Sequence, residues 1–133
     1  MESIVITGTY ASLLALLLII LSIRIIALRG TPAFRWFAFG DDGEESLQRA
    51  IRGHGNLIEY APIFLILIMV AEIGGLKEAT LHSYGTVFLE ARLMHSLCFG
   101  FLKHSAVLRI GGTTLTLGSI LGIAVLVLMR YAG

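Results

Sequence analysis

Charge is scarce in this chain. Asp, Glu, Lys and Arg make up 14% of its 133 residues, against roughly 25% in a typical soluble domain. With 56% hydrophobic residues and a mean hydropathy of +0.87, it lacks the polar groups to cover a soluble surface. A net charge of +1 is too small for a nucleic-acid interface. The one cysteine, Cys98, excludes an intrachain disulfide, a Cys-rich zinc site and a CxxC redox motif. Lying in an apolar run, it reads as a small packed hydrophobe. Proline is scarce too, with Pro32 and Pro62 alone, so long stretches are free to be helical.

What is present is four segments of membrane-spanning length. Each span takes about 20 residues, so helices at roughly 3–29, 45–74, 79–103 and 111–131 use most of the chain. The expectation is one domain over 1–133, an all-α integral membrane four-helix bundle. The first segment lacks the basic start of a signal peptide, carrying Glu2, and its apolar run is too long, so it reads as retained. Arg24 and Arg29 end it, where snorkelling to the interface is expected. Residues 30–46 read as a loop: Pro32 stops the helix, and Phe34, Trp36, Phe37 and Phe39 suit the interface. Asp41, Asp42, Glu44 and Glu45 fit no EF-hand spacing; as acidic residues at a helix start they suit its dipole. Pro62 is expected to bend the second helix, and Gly118 and Gly122 give the fourth a GxxxG spacing. Arg29, Arg35, Lys103 and Arg109 fall in the first and third loops, against Lys77 and Arg130 on the other side. This bias places those loops in the cytoplasm and both termini outside.

The second segment carries a stripe of charge. At about 100° per residue, Glu45, Gln48, Arg49, Arg52, Asn56, Glu59 and Tyr60 fall within an arc of roughly 120°, with His54 nearly opposite. Ionisable groups in a spanning helix are costly and are functional candidates by default. An Arg fork, an Asn amide and a Glu carboxylate match a ligand with carboxylates, amides and an amine, such as a small zwitterionic peptide. The competing reading is an internal network in which Arg52 or Arg92 pairs with Glu59. On the third segment Arg92, His95 and Phe99 share a face while Glu90 points away. His54, Glu59 and His95 have no metal-ligand spacing, so no metal is expected. Arg109, expected just before the fourth helix, would stabilise a thiolate or another anion, or set topology. Glu59, Glu90, Arg92 and His95 within the membrane segments also admit a proton relay or transporter.

These residues resemble a family. RGHGNLIEYAP is similar to the R-x-H-x-N-x-x-E-x-x-P signature of the MAPEG proteins, membrane-associated proteins in eicosanoid and glutathione metabolism. ARLMH, at 91–95, resembles the family's third-helix A-R-x-x-H motif, and GDDGEESLQRAIRGHGN is most like its small bacterial branch. The resemblance covers essentially the whole chain. It implies a homotrimer of four-helix bundles in the bacterial inner membrane, with glutathione as co-substrate bound between subunits on the cytoplasmic side. Carried over, Arg52, Asn56, Glu59 and Tyr60 hold the peptide from one subunit, His54 contributes to a neighbour's site, and His95 and Arg29 complete it. Arg109 is near the place of the thiolate-stabilising arginine. The implied activity is a transferase or peroxidase acting on an apolar electrophile or lipid hydroperoxide that enters from the bilayer. Phe99 stands where several active relatives carry Tyr, which favours the alternative of a non-catalytic trimer binding lipid, glutathione or a partner protein.

Overall fold

The computed structural model describes residues 3–133, so Glu2 lies outside the described residues. Among the described residues there are four α-helices: α1 (Val5–Leu28), α2 (Glu44–Ile73), α3 (Glu78–Phe101) and α4 (Ala106–Ala132). The short connections reverse the chain each time. Gly30 at φ 89° and Gly75 at φ 74° take the left-handed backbone that ends α1 and α2. α1, α2 and α4 are long and apolar enough to cross a membrane. α3 is less apolar because His82, Glu90, Arg92 and His95 interrupt it. Even so it has the same 24 residues as α1, about 36 Å at 1.5 Å per residue.

The main core is an apolar seam between the helices, with a second, smaller cluster of Ile25, Leu28 and Ala50 at one end. Leu14, Leu17 and Leu21 of α1 meet Leu57, Phe64 and Ile68 of α2, Leu81 and Phe88 of α3 and Ile123 of α4. Phe64 and Phe88 stack at 3.9 Å. α3 and α4 approach closely where Gly112 lies against the Ala91 carbonyl and the His95 backbone; a Cβ there would stand 3.0 Å from both. Of the GxxxG pair, Gly122 meets the Tyr84 ring, whereas Gly118 has nothing within 4 Å. α2 runs unbroken through Pro62.

Polar contacts pin the two ends of the bundle. At one end Glu72 of α2 accepts from the backbone N–H groups of Ile6 and Thr7, both at 2.8 Å, and from the Thr7 hydroxyl at 2.6 Å. It satisfies orphan donors of the first turn of α1, which has no cap of its own. Tyr10 of α1 reaches α3 alongside, bonding the His82 carbonyl at 3.0 Å and the Thr86 hydroxyl at 2.9 Å.

At the other end the sequence reading needs three corrections. Arg24 does not snorkel: it is 2% exposed, donating to the carbonyls of Gly100 at 2.8 Å and Phe37 at 2.5 Å. Phe39 and Phe101 flank its guanidinium. Two carbonyls and two aromatic faces compensate the buried cation, so the side chain ties α1 to α3 rather than reaching for water. The stretch read as loop contains a 3-10 helix, Pro32–Phe37, with Pro32 at its start, where a missing N–H costs nothing. Finally, α4 begins at Ala106, not 111. The Ser105 hydroxyl accepts from Leu108 N at 3.4 Å as its N-cap, so Arg109 lies in the first turn of the helix rather than in a loop.

Candidate functional site

The charged stripe of α2 faces the C-terminal half of α3, and the two helices frame an open groove of about 490 Å³. Arg52, Asn56 and Glu59 line it from α2, and His95 and Phe99 from α3. Gly53 sets the spacing between these helices: a Cβ there would lie 3.0 Å from that of Phe99. Gly55 also lines the groove, and with nothing within 4 Å of a Cβ there, its missing side chain leaves room for a ligand. The signal for both was the pair of glycines flanking His54.

Behind the groove Arg92 is 1% exposed. It donates through Nη1 to the Asn56 carboxamide oxygen at 2.6 Å and lies 5.7 Å from the centre of the Tyr60 ring. Its Nε and Nη2 are buried with no hydrogen-bond partner, an arrangement costly enough in a folded chain to call for a ligand or a further polar group. His95 stacks on Phe99 at 4.5 Å and 19°.

The internal Arg–Glu59 network of the competing reading does not form. Among the described residues the salt bridges are Arg49 to Asp42 at 3.3 Å and Lys103 to Asp42 at 3.8 Å. Neither Arg52 nor Arg92 pairs with Glu59, and Arg52 and Glu59 are exposed. Asp41, which had been weighed with Asp42 as a cation ligand, accepts from the Ser46 hydroxyl and the Gly43 N–H, both at 2.8 Å. These bonds hold its carboxyl below the ordinary range. For Asp42, partial burial pushes the other way but the Arg49 hydrogen bond and charge prevail, so it too is lowered. Both carboxylates thus build the entry to α2. Among the described residues no three His, Cys, Asp or Glu side chains gather as a metal site requires.

The remaining candidates separate. Tyr60 packs against the apolar core beside Arg92. His54 turns toward α1, its Nε2 lying 3.1 Å from the Ser22 hydroxyl, the opposite side of α2 from Arg52, as the helical wheel predicts. Arg29 is exposed at the C-cap of α1 and does not line the groove of its own chain. Arg109 is also outside it, lining a small adjoining cleft with Arg49, Cys98, Lys103 and His104. Phe99 lines both spaces and stands between them.

Comparison with known proteins agrees with this architecture. The model of the MAPEG family matches residues 7–129. The inner membrane protein YecN of Escherichia coli strain K12 is 42% identical over 90 residues, 68% of this chain and 66% of that protein. YecN of Escherichia coli O6:H1 matches to the same extent. The aligned stretch thus spans just under two thirds of the length of these relatives.

Proposed function

Because this chain belongs to the MAPEG family, we propose that its groove binds glutathione and that the protein is a glutathione-dependent transferase or peroxidase of the bacterial inner membrane. The observation that carries this reading is the polar lining of the groove. Arg52 supplies a fork for a carboxylate and Glu59 an acceptor for an α-ammonium, and behind them Arg92 has two buried nitrogens, Nε and Nη2, without an acceptor. A zwitterionic tripeptide fills all three needs. Because Arg52 and Glu59 are exposed in one chain, the site is completed in a homotrimer. There His54 and Arg29, which do not line the groove of their own chain, face the groove of a neighbour.

In this reading the bound thiol lies toward the Phe99 end. Arg109, beyond that ring, supplies the positive charge that lowers the thiol's pKa and favours the attacking thiolate. The sulfur adds to an apolar electrophile from the bilayer, or attacks the terminal oxygen of a lipid hydroperoxide. In the second case the O–O bond breaks, the lipid alcohol leaves with a proton, and a second glutathione reduces the sulfenic acid to disulfide and water. Glutathione is the co-substrate, and no metal takes part. The groove opens on the cytoplasmic side, with both termini outside. Phe99 supports a second reading, a trimer that binds glutathione or lipid without turnover, since a phenyl ring offers the sulfur no hydrogen bond.

Calorimetric titration of the detergent-purified protein with glutathione, alongside ultraviolet detection of thiolate, tests the proposal. Saturable binding with thiolate at neutral pH supports the transferase, and binding without thiolate supports the second reading. Arg52→Ala and Glu59→Gln are each expected to weaken binding by about 1.5–3 kcal/mol, the worth of a hydrogen bond to a charged group. Unchanged affinity in both overturns the site assignment.

A further inference from the structure

The small cleft beyond Phe99 has a chemistry of its own. Its volume is about 70 Å³, roughly the share of two waters in the liquid and far below the 490 Å³ of the groove. Three permanent cations from three parts of the chain line it: Arg49 from α2, Lys103 from the α3–α4 loop and Arg109 from α4, with His104 as a further donor. Among the described residues Asp42 is the one carboxylate in ion-pair distance of them, at 3.3 Å from Arg49 and 3.8 Å from Lys103. Three cations against one carboxylate leave two positive charges. The Asp42 bonds use Arg49 Nη2, while Arg49 Nε is buried with no acceptor. The cleft contains no second carboxylate, and the Cys98 thiol on its wall is already spent on the Ser105 carbonyl at 3.3 Å.

We infer that this cleft is a binding site for a phosphate group, separate from the peptide groove. Its size admits one tetrahedral oxyanion and no peptide, and the two uncompensated charges match a phosphate dianion. Arginine N–H donors fit phosphate oxygens, with Lys103 as a mobile point charge. Two sources present that group at a membrane surface: inorganic phosphate and the headgroup of a phosphomonoester lipid. Val107 and Ile110, 79% and 60% exposed on the first turns of α4, place apolar surface next to the cleft where acyl chains would run. Arg109 is shared with the glutathione reading, but Arg49 and Lys103 are not, so substitutions at those two positions separate the phosphate titration from the glutathione titration.

The test is calorimetric titration of the full-length protein in a neutral detergent at low ionic strength. The probes are inorganic phosphate, dihexanoyl phosphatidic acid and dihexanoyl phosphatidylcholine, with glutathione titrated separately. Saturable binding of about one phosphate per chain is expected, weakened about tenfold by Lys103→Gln, a substitution at a side chain 79% exposed, and similarly by Arg49→Gln. Equal affinity for inorganic phosphate and phosphatidic acid identifies the free ion as the source. Tighter binding of phosphatidic acid, with phosphatidylcholine inert, identifies the lipid. Three results overturn the site: no saturable binding of either phosphate probe, affinity unchanged in both variants, or phosphatidylcholine binding as well as phosphatidic acid.

Discussion

Asn56 and Arg92 join α2 to α3 through one short contact, the 2.6 Å bond from the Arg92 Nη1 to the Asn56 carboxamide oxygen. Both residues belong to family-like motifs, yet in this chain they first serve each other. The guanidinium is 1% exposed, so the amide is its principal partner within the bundle. Removing that amide therefore reaches beyond ligand binding. Asn56→Leu is expected to lower stability by about 1.5–3 kcal/mol, the usual worth of a hydrogen bond to a buried charge. Thermal unfolding in detergent measures it. An unshifted melting temperature would mean that Arg92 finds another acceptor.

Glu72 has no counterpart in the sequence reading, and it clasps the first turn of α1 through three hydrogen bonds. Replacing it with Ala strands the N–H groups of Ile6 and Thr7. Loss of a cap of this kind costs about 0.5–2 kcal/mol. Amide exchange near residues 5–8 should quicken while exchange at the α3–α4 contact around Gly112 stays slow. Uniform quickening across all four helices would show that the clasp is global rather than local.

Phe99 divides the groove from the basic cleft and offers neither a hydrogen bond. Phe99→Tyr is expected to raise the fraction of bound glutathione present as thiolate at neutral pH, because a phenol O–H stabilises an adjacent anion. One good charge-assisted bond, at roughly 1.5 kcal/mol, corresponds to about a tenfold change. Thiolate absorbance in the two proteins, at matched glutathione occupancy, reads it directly. Equal signals would remove Phe99 as the reason for weak activation.

Arg109 is expected to matter for the thiol and little for the peptide. Arg109→Ala should leave glutathione affinity within about twofold while reducing thiolate, the split anticipated for a charge that acts on the anionic form alone. A large loss of affinity with an unchanged pH profile would move Arg109 from activation to peptide binding.

Asp41 carries a pH dependence whose sign is defined. Its carboxyl is held below the ordinary value of 3.8 by the Ser46 hydroxyl and the Gly43 N–H. The stabilisation is therefore full above that value and is lost as the pH falls through the lower value of the folded chain. Fraying of the first turn of α2 is expected only below about pH 3.8, seen as faster amide exchange at residues 43–47. Asp41→Asn should make that turn insensitive to pH across the same range. The same acid response in the variant would assign it elsewhere.

Much of this protein was legible in its residues. Hydropathy and segment length placed α1, α2 and α4, because the run of apolar side chains needed for a membrane span leaves few alternative structures, and α3 was legible from its length despite its charges. The 3.6-residue period put Arg52, Asn56 and Glu59 on one side of α2 and His54 on the other, and Arg92 with His95 and Phe99 on one side of α3. Those are local angles, independent of the partner helix. What local rules could not supply was which helix each face would meet. Arg24 looked like an interfacial cation because nothing near it in sequence announces Gly100 and Phe101, 76 residues away in the case of the Gly100 bond. Charge alone allowed Glu59 to pair with either Arg52 or Arg92. The bundle instead brings Asn56 within reach, since the approach at Gly53 sets the height of α3 against α2. Arg109 moved into a helix because the Ser105 cap fixes where α4 starts, and the glycines at 111 and 112 serve packing rather than a turn. Periodicity and composition determined the elements and their faces. The packing of those faces, a long-range balance of close approach and buried hydrogen bonds, decided which charges are neutralised and which remain open to a ligand.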